Sequence, residues 1–339
     1  MDTESKDCMT AVPATTGERR IGAGERTDVV KIRRMKRLNR WWPLAAVLLA
    51  ACAGTPSQKS TPTAGSAGSG NADELAASAL TGWGTDVRSS QALAQIQRAV
   101  KSAPERPELM WLQVRICQEV PGCEPESVEA QLRKLDPGSG AVWLGALARA
   151  QARRDARTED QILEVMTKAS HFNVYWTTLI ARLTPPVSRS PVATNVPQAA
   201  PTPLTNALNS TIGYLSRMTT QAFMPLSNAC DAQQVREPGR RVRCDRIAQI
   251  LQKSDTTLAE GVGLGIAQRM AVPNSAVYMQ ILGKINTLSH QNQTSGSIVA
   301  AQVEKEKFST QMLKLMAESK REQDVSKAIL RWAGQPLTP

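Results

Sequence analysis

The chain has 339 residues, 41 of them Lys or Arg and 30 Asp or Glu, and 41% are hydrophobic. A single core rarely grows past about 250–300 residues, so about two folded regions are expected, and this apolar content excludes a wholly disordered chain. Two His residues leave little room for His-rich metal or acid–base chemistry, and the net +11 follows no basic stripe interleaved with aromatics, which argues against nucleic-acid binding.

Residues 1–34 are polar and charged, without periodicity, and read as a mis-assigned extension ahead of a start at Met35. From there, Lys36, Arg37 and Arg40 precede an apolar core over Trp41–Ala51. Spanning a bilayer takes about 20 apolar residues, so this core is too short to span and fits the apolar part of a secretory signal over 35–51. It ends in Leu49-Ala50-Ala51-Cys52, which resembles the lipobox of bacterial lipoproteins. Small residues before the Cys suit a peptidase cleft, and the thiol is the local nucleophile able to take a diacylglycerol. The resemblance implies cleavage before Cys52, acylation of Cys52, and anchoring by several acyl chains. In that family a residue other than Asp after the Cys, here Ala53, goes with the outer membrane, facing the periplasm. Residues 52–72, mostly Gly, Ser, Thr, Ala and Pro, read as a flexible tether.

Helical periodicity fills the chain beyond the tether. In residues 73–183, Leu109, Leu112, Ile116 and Val120 recur at three and four residues, as do Val128, Leu132 and Leu135, then Trp143, Leu147 and Ala150, then Ile162, Met166 and Ala169. Thr158 with Gln161 carries a capping-box signature for the last of these helices. Residues 184–203 hold six prolines and read as a linker. A second helical region is expected over 204–334, with a long stripe Leu204, Leu208, Ile212, Leu215, Met218 and a terminal one Val325, Ile329, Trp332. The fold class is all-α. Trp83, Trp111, Trp143 and Trp176 stand 28, 32 and 33 residues apart, and Leu135-Asp136-Pro137 precedes Trp143 by a short interval. This pattern resembles the junction of tetratricopeptide repeats, although no repeat is complete. The resemblance covers about 100 residues and implies stacked antiparallel helical hairpins in the first region.

Setting aside Cys8 and Cys52, four cysteines remain, and an even number in an exported chain points to disulfides. Three connectivities are possible. Local pairing, Cys117 with Cys123 and Cys230 with Cys244, is the expectation because each pair flanks a hairpin tip, at Val120-Pro121-Gly122 and at Glu237-Pro238-Gly239. Zinc would want Cys-x-x-Cys spacing or a nearby His, and a Cys nucleophile a His base; His171 and His290 are both remote in sequence.

Gly261, Gly263 and Gly265 lack the spacing and the preceding strand of a phosphate loop and suit close helix packing or a helix break. Arg236, Arg240, Arg241, Arg243 and Arg246 cluster in and after the second cysteine loop and could meet an anionic surface. Glu318-Ser319 resembles the Glu-Ser motif of lytic transglycosylases, but that family's downstream Gly-Leu-Met-Gln motif has no counterpart. No catalytic set, metal or cofactor is expected. The expected role is a membrane-anchored, non-enzymatic scaffold or interaction module with a protein partner in the envelope. The alternative is a peptidoglycan-active enzyme, or its activator, centred on Glu318.

Overall fold

The computed structural model describes residues 71–83, 89–190, 202–302 and 305–339. Cys8, Cys52, the stretch 35–51 expected as a signal and nearly all of 52–72 expected as a tether lie outside these residues. Among the described residues the chain is all-α. The first region holds α1 (Ala72–Gly82), α2 (Ser89–Ser102), α3 (Pro107–Cys117), α4 (Glu126–Leu135), α5 (Leu144–Ala152), α6 (Ala156–Thr167) and α7 (Trp176–Ser188). The second holds α8 (Pro203–Ala229), α9 (Pro238–Leu251), α10 (Thr257–Met270), α11 (Ala276–Gln302), α12 (Glu306–Glu318) and α13 (Glu322–Trp332). One extended bridge, between Ser139 and His171, interrupts the helices. No described helix is long and apolar enough to cross a membrane.

Local chemistry sets the helix ends. α6 starts earlier than the Thr158 signature suggests. Asp155 is its cap, accepting from the Thr158 N–H at 3.0 Å and from the Thr158 hydroxyl at 2.6 Å. These bonds hold the Asp155 carboxyl below its usual range, an acidic cap being favoured at a helix start. α7 runs to Ser188 through Pro185 and Pro186, into the stretch expected as linker. The prolines forfeit two backbone donors in the last turn, but Val187 is buried there against Ala77 and Ala207. Tertiary packing thus overrides a strong local stop signal. Residues 191–201 lie outside the described residues.

Consecutive helices pack in pairs through the first region, α1 on α2, α3 on α4 and α5 on α6. A pure nearest-neighbour stack would stop there. Instead α1 also packs on α7, and α8 lies against α1, α5, α7, α10 and α12. The buried face of α8 includes Leu208, Leu215, Met218, Phe223 and Leu226. Sequence leaves open whether the two regions touch; they share one apolar cluster, in which the rings of Phe172 and Phe223 sit 6.4 Å apart. Trp83, Trp111 and Trp176 are buried, and Trp143 is half-buried under the Arg133 guanidinium at 4.6 Å.

Both local cysteine pairs are at bonding distance, with Cα atoms 5.4 Å apart for Cys117–Cys123 and 5.7 Å for Cys230–Cys244. The first closes the turn after α3, where Gly122 takes a left-handed φ of 77°. The second differs from expectation, because Glu237-Pro238-Gly239 is not the tip of a loop. Glu237 caps α9, accepting from the backbone N–H groups of Gly239 and Arg240, and Pro238 takes the first helical position, where its missing donor is harmless. Cys244 therefore lies inside α9 and ties that helix to the end of α8.

Candidate functional site

The cluster closest to a catalytic arrangement is one that sequence reasoning missed. Asp136 ends α4, and the 170–175 segment folds back over it. His171 Nε2 donates to Asp136 Oδ1 at 3.0 Å, Ser170 Oγ lies 2.8 Å from His171 Nδ1, and the Tyr175 hydroxyl donates to Asp136 Oδ2 at 2.7 Å. Burial and the Asp136 charge push the Tyr175 phenol far above its usual range, so it stays a donor. Ser, His and Asp are in line, as acyl-transfer chemistry requires. That chemistry also requires free donors for an oxyanion. The backbone N–H groups of Ser170 and His171 point to Gly138 O, and that of Gly140 to His171 O. Every one is committed, so the trio fastens the α4–α5 connection to the approach of α7. The signal is faint in sequence, because the Asp and His are 35 residues apart.

A second buried polar centre joins three chain segments. The Asp255 carboxylate, in the α9–α10 connection and 8% exposed, accepts from Val174 N at 3.0 Å and Trp176 N at 3.1 Å, capping α7 from a distance. It holds Tyr175 at a left-handed φ of 59°. Glu322 N donates to Asp255 O at 2.8 Å, and Arg321 Nε to Ser254 O at 3.0 Å, so the start of α13 closes over the same point. Desolvation pushes the Asp255 carboxyl up to about 7; the Val174 and Trp176 N–H groups oppose this and the Glu322 carboxylate adds to it. Glu322 is itself raised by desolvation. Between the ordinary value of 3.8 and about 7, the native state holds a proton that the unfolded chain has released. Stability is therefore expected to fall as pH rises from about 4 to about 7 and to level off above, by on the order of 4 kcal/mol. Denaturation midpoints at pH 5 and pH 8 check this. The Asp255→Asn chain should lose most of the difference, and an unchanged difference refutes the assignment.

The five arginines do not lie together on one loop. Because α9 begins at Pro238, four of the five lie on a helix and point in different directions. Arg240 is buried and pairs with Glu159 and with Asp160 Oδ1 at 2.7 Å, while Arg243 reaches the same Asp160 oxygen at 3.0 Å. These two lock α9 onto α6. Arg241 donates to Met270 O, at the end of α10. Arg236 and Arg246 are exposed, and Arg246 leans towards Gln249 at 3.5 Å. Internal pairing has used Arg240 and Arg243, so they are withdrawn from any anionic surface. Of the three glycines in α10, Gly263 makes the close helix contact; Gly261 and Gly265 do not.

An open groove of about 520 Å³ lies between the end of α11, α12 and the end of α13. Ile298, Leu315, Ile329 and Ala333 line its floor, with Phe308 and Trp332 as its aromatic side chains. Gln302, Gln311, Lys314 and Glu318 are its polar groups. Glu318 thus does line a cleft, but its side chain is largely exposed and sits 3.9 Å from the Lys314 ammonium. Val325 and Ile329 are buried as the terminal stripe predicts, whereas Trp332 is 56% exposed. Its ring lines the groove instead.

No family model, curated protein or solved structure matches this chain. Among the described residues, no group of three or more His, Cys, Asp or Glu is placed to hold a metal ion.

Proposed function

We propose that the chain is a lipid-anchored protein of the bacterial envelope, exported by the 35–51 signal and acylated at Cys52. Its all-α body, with tetratricopeptide-like hairpins, faces the periplasm and serves as a non-enzymatic interaction module for an envelope partner. One observation carries the reading: a basic start (Lys36, Arg37, Arg40), a short apolar core and Leu49-Ala50-Ala51-Cys52 succeed one another in the order and lengths that lipid modification requires. Two local cysteine pairs at bonding distance support it, because such bonds persist outside the reducing cytosol.

Replacing Cys52 by Ser tests the reading in cells of a lipoprotein-processing bacterium. The wild type should incorporate labelled palmitate and sediment with membranes. The variant should lose the label, keep its signal and leave the acylated pool. Equal labelling and equal partitioning of the two would overturn the proposal.

A further inference from the structure

We propose that the groove between α11, α12 and α13 binds an uncharged saccharide, with the Trp332 indole as its stacking platform. Trp332 is the one aromatic side chain among the described residues that is exposed, at 56%, while Val325 and Ile329 on the same stripe are 2% exposed. A helix that buries two of three stripe residues and leaves its largest ring over a groove is holding out an apolar plane. The groove volume, about 520 Å³, is that of a small-molecule site.

Its polar groups narrow the chemistry. Gln311, Lys314 and Glu318 share one face of α12 at three- and four-residue spacing, and Gln302 faces them from α11. The Gln311 amide offers both donors and an acceptor, Gln302, whose Oε1 already accepts from Lys305 Nζ at 2.7 Å, offers its amide N–H groups, the carboxylate accepts in two directions, and the ammonium donates. Lys314 and Glu318 lie 3.9 Å apart and offset each other, so the groove selects neither an anion nor a cation. An amphipathic peptide helix would want a continuous apolar stripe. Along α12 the groove instead meets Phe308, Gln311, Leu315 and Glu318, in which apolar and polar groups alternate. The occupant that fits has an apolar face for the ring and a rim of neutral hydroxyls or amides. A short oligosaccharide, with a C–H face and equatorial hydroxyls on each pyranose, has both.

The inference concerns binding without cleavage and rests on the groove alone, so it stands or falls separately from acylation of Cys52. Calorimetric titration of the purified full chain with tri-N-acetylchitotriose, maltotriose and an uncharged amphipathic peptide tests it. Saturable binding of at least one trisaccharide is expected, weakened about tenfold or more by Trp332→Ala, largely restored in Trp332→Tyr, and weakened severalfold by Glu318→Gln. The exposed position of Trp332 predicts an unchanged melting temperature in those variants, which separates lost binding from lost folding. Three results would overturn the proposal: no heat from either sugar up to about 10 mM, sugar binding indifferent to Trp332→Ala, or uptake of the peptide alone.

Discussion

Glu129→Ala is expected to destabilise the fold by about 3–5 kcal/mol, the range for removing one partner of a buried ion pair. The Glu129 side chain is 1% exposed and meets Arg149 through two parallel bonds, Nη1 to Oε1 at 2.7 Å and Nη2 to Oε2 at 2.6 Å. Arg133 approaches it at 3.6 Å, and its charge also favours the charged form of Arg115. Burial already pulls the Arg115 guanidinium down to about 10, and its Nε has no partner. Losing Glu129 would leave Arg149 with only the exposed Glu126, at 2.8 Å, and Arg115 with less compensation. Urea denaturation followed by circular dichroism measures the loss. Glu126→Ala is the control and should cost under about 1 kcal/mol, as exposed pairs do. If the two variants proved equally mild, the buried network would not be the clamp between α4 and α5 that its geometry implies.

The second large effect has opposite signs two residues apart in α10. A Cβ on Gly263 would stand 2.7 Å from the Leu251 Cβ and 2.8 Å from the Ala248 carbonyl oxygen, both on the facing α9. Neither is the movable end of a side chain, so Gly263→Ala must push the helices apart and should cost about 1–3 kcal/mol. A Cβ on Gly265 would meet nothing within 4 Å. There Gly265→Ala restores helix propensity and should stabilise by about 0.5–1 kcal/mol. Thermal unfolding of both variants should therefore bracket the wild type, with a gap of several degrees, at roughly 2–4 °C per kcal/mol for a body of this size. Two shifts of the same sign would show that α9 and α10 do not touch at Gly263.

Much of the fold is legible in the chain because it is local. Helices come from three- and four-residue spacing and the cysteine pairs from their short loops, whereas nothing local tells Gly263, which packs closely, from Gly261 and Gly265, which do not. The departures from expectation arise where a better partner lies outside the motif. Thr158 resembles part of a cap, yet the Asp155 carboxylate, the better acceptor, stands three residues before it. Pro185 and Pro186 resemble a stop, yet Val187 packs on Ala77 and Ala207 from remote parts of the chain. The five arginines look equivalent, although Glu159 and Asp160, some 80 residues away, select two of them. In the last two cases the deciding partner is one that sequence distance conceals.

From the residues alone came the all-α class, the two local cysteine pairs and the expectation of an export signal with a lipid-bearing cysteine. All depend on neighbours a few positions apart, and short-range sterics and periodicity are read directly from the chain. Only tertiary structure decided that α8 lies against both regions, that Asp255 joins three segments, and that Trp332 faces an open groove instead of the core. These depend on which helix faces which, and that is settled by the burial of many weakly specific apolar contacts together, with no single motif to mark it.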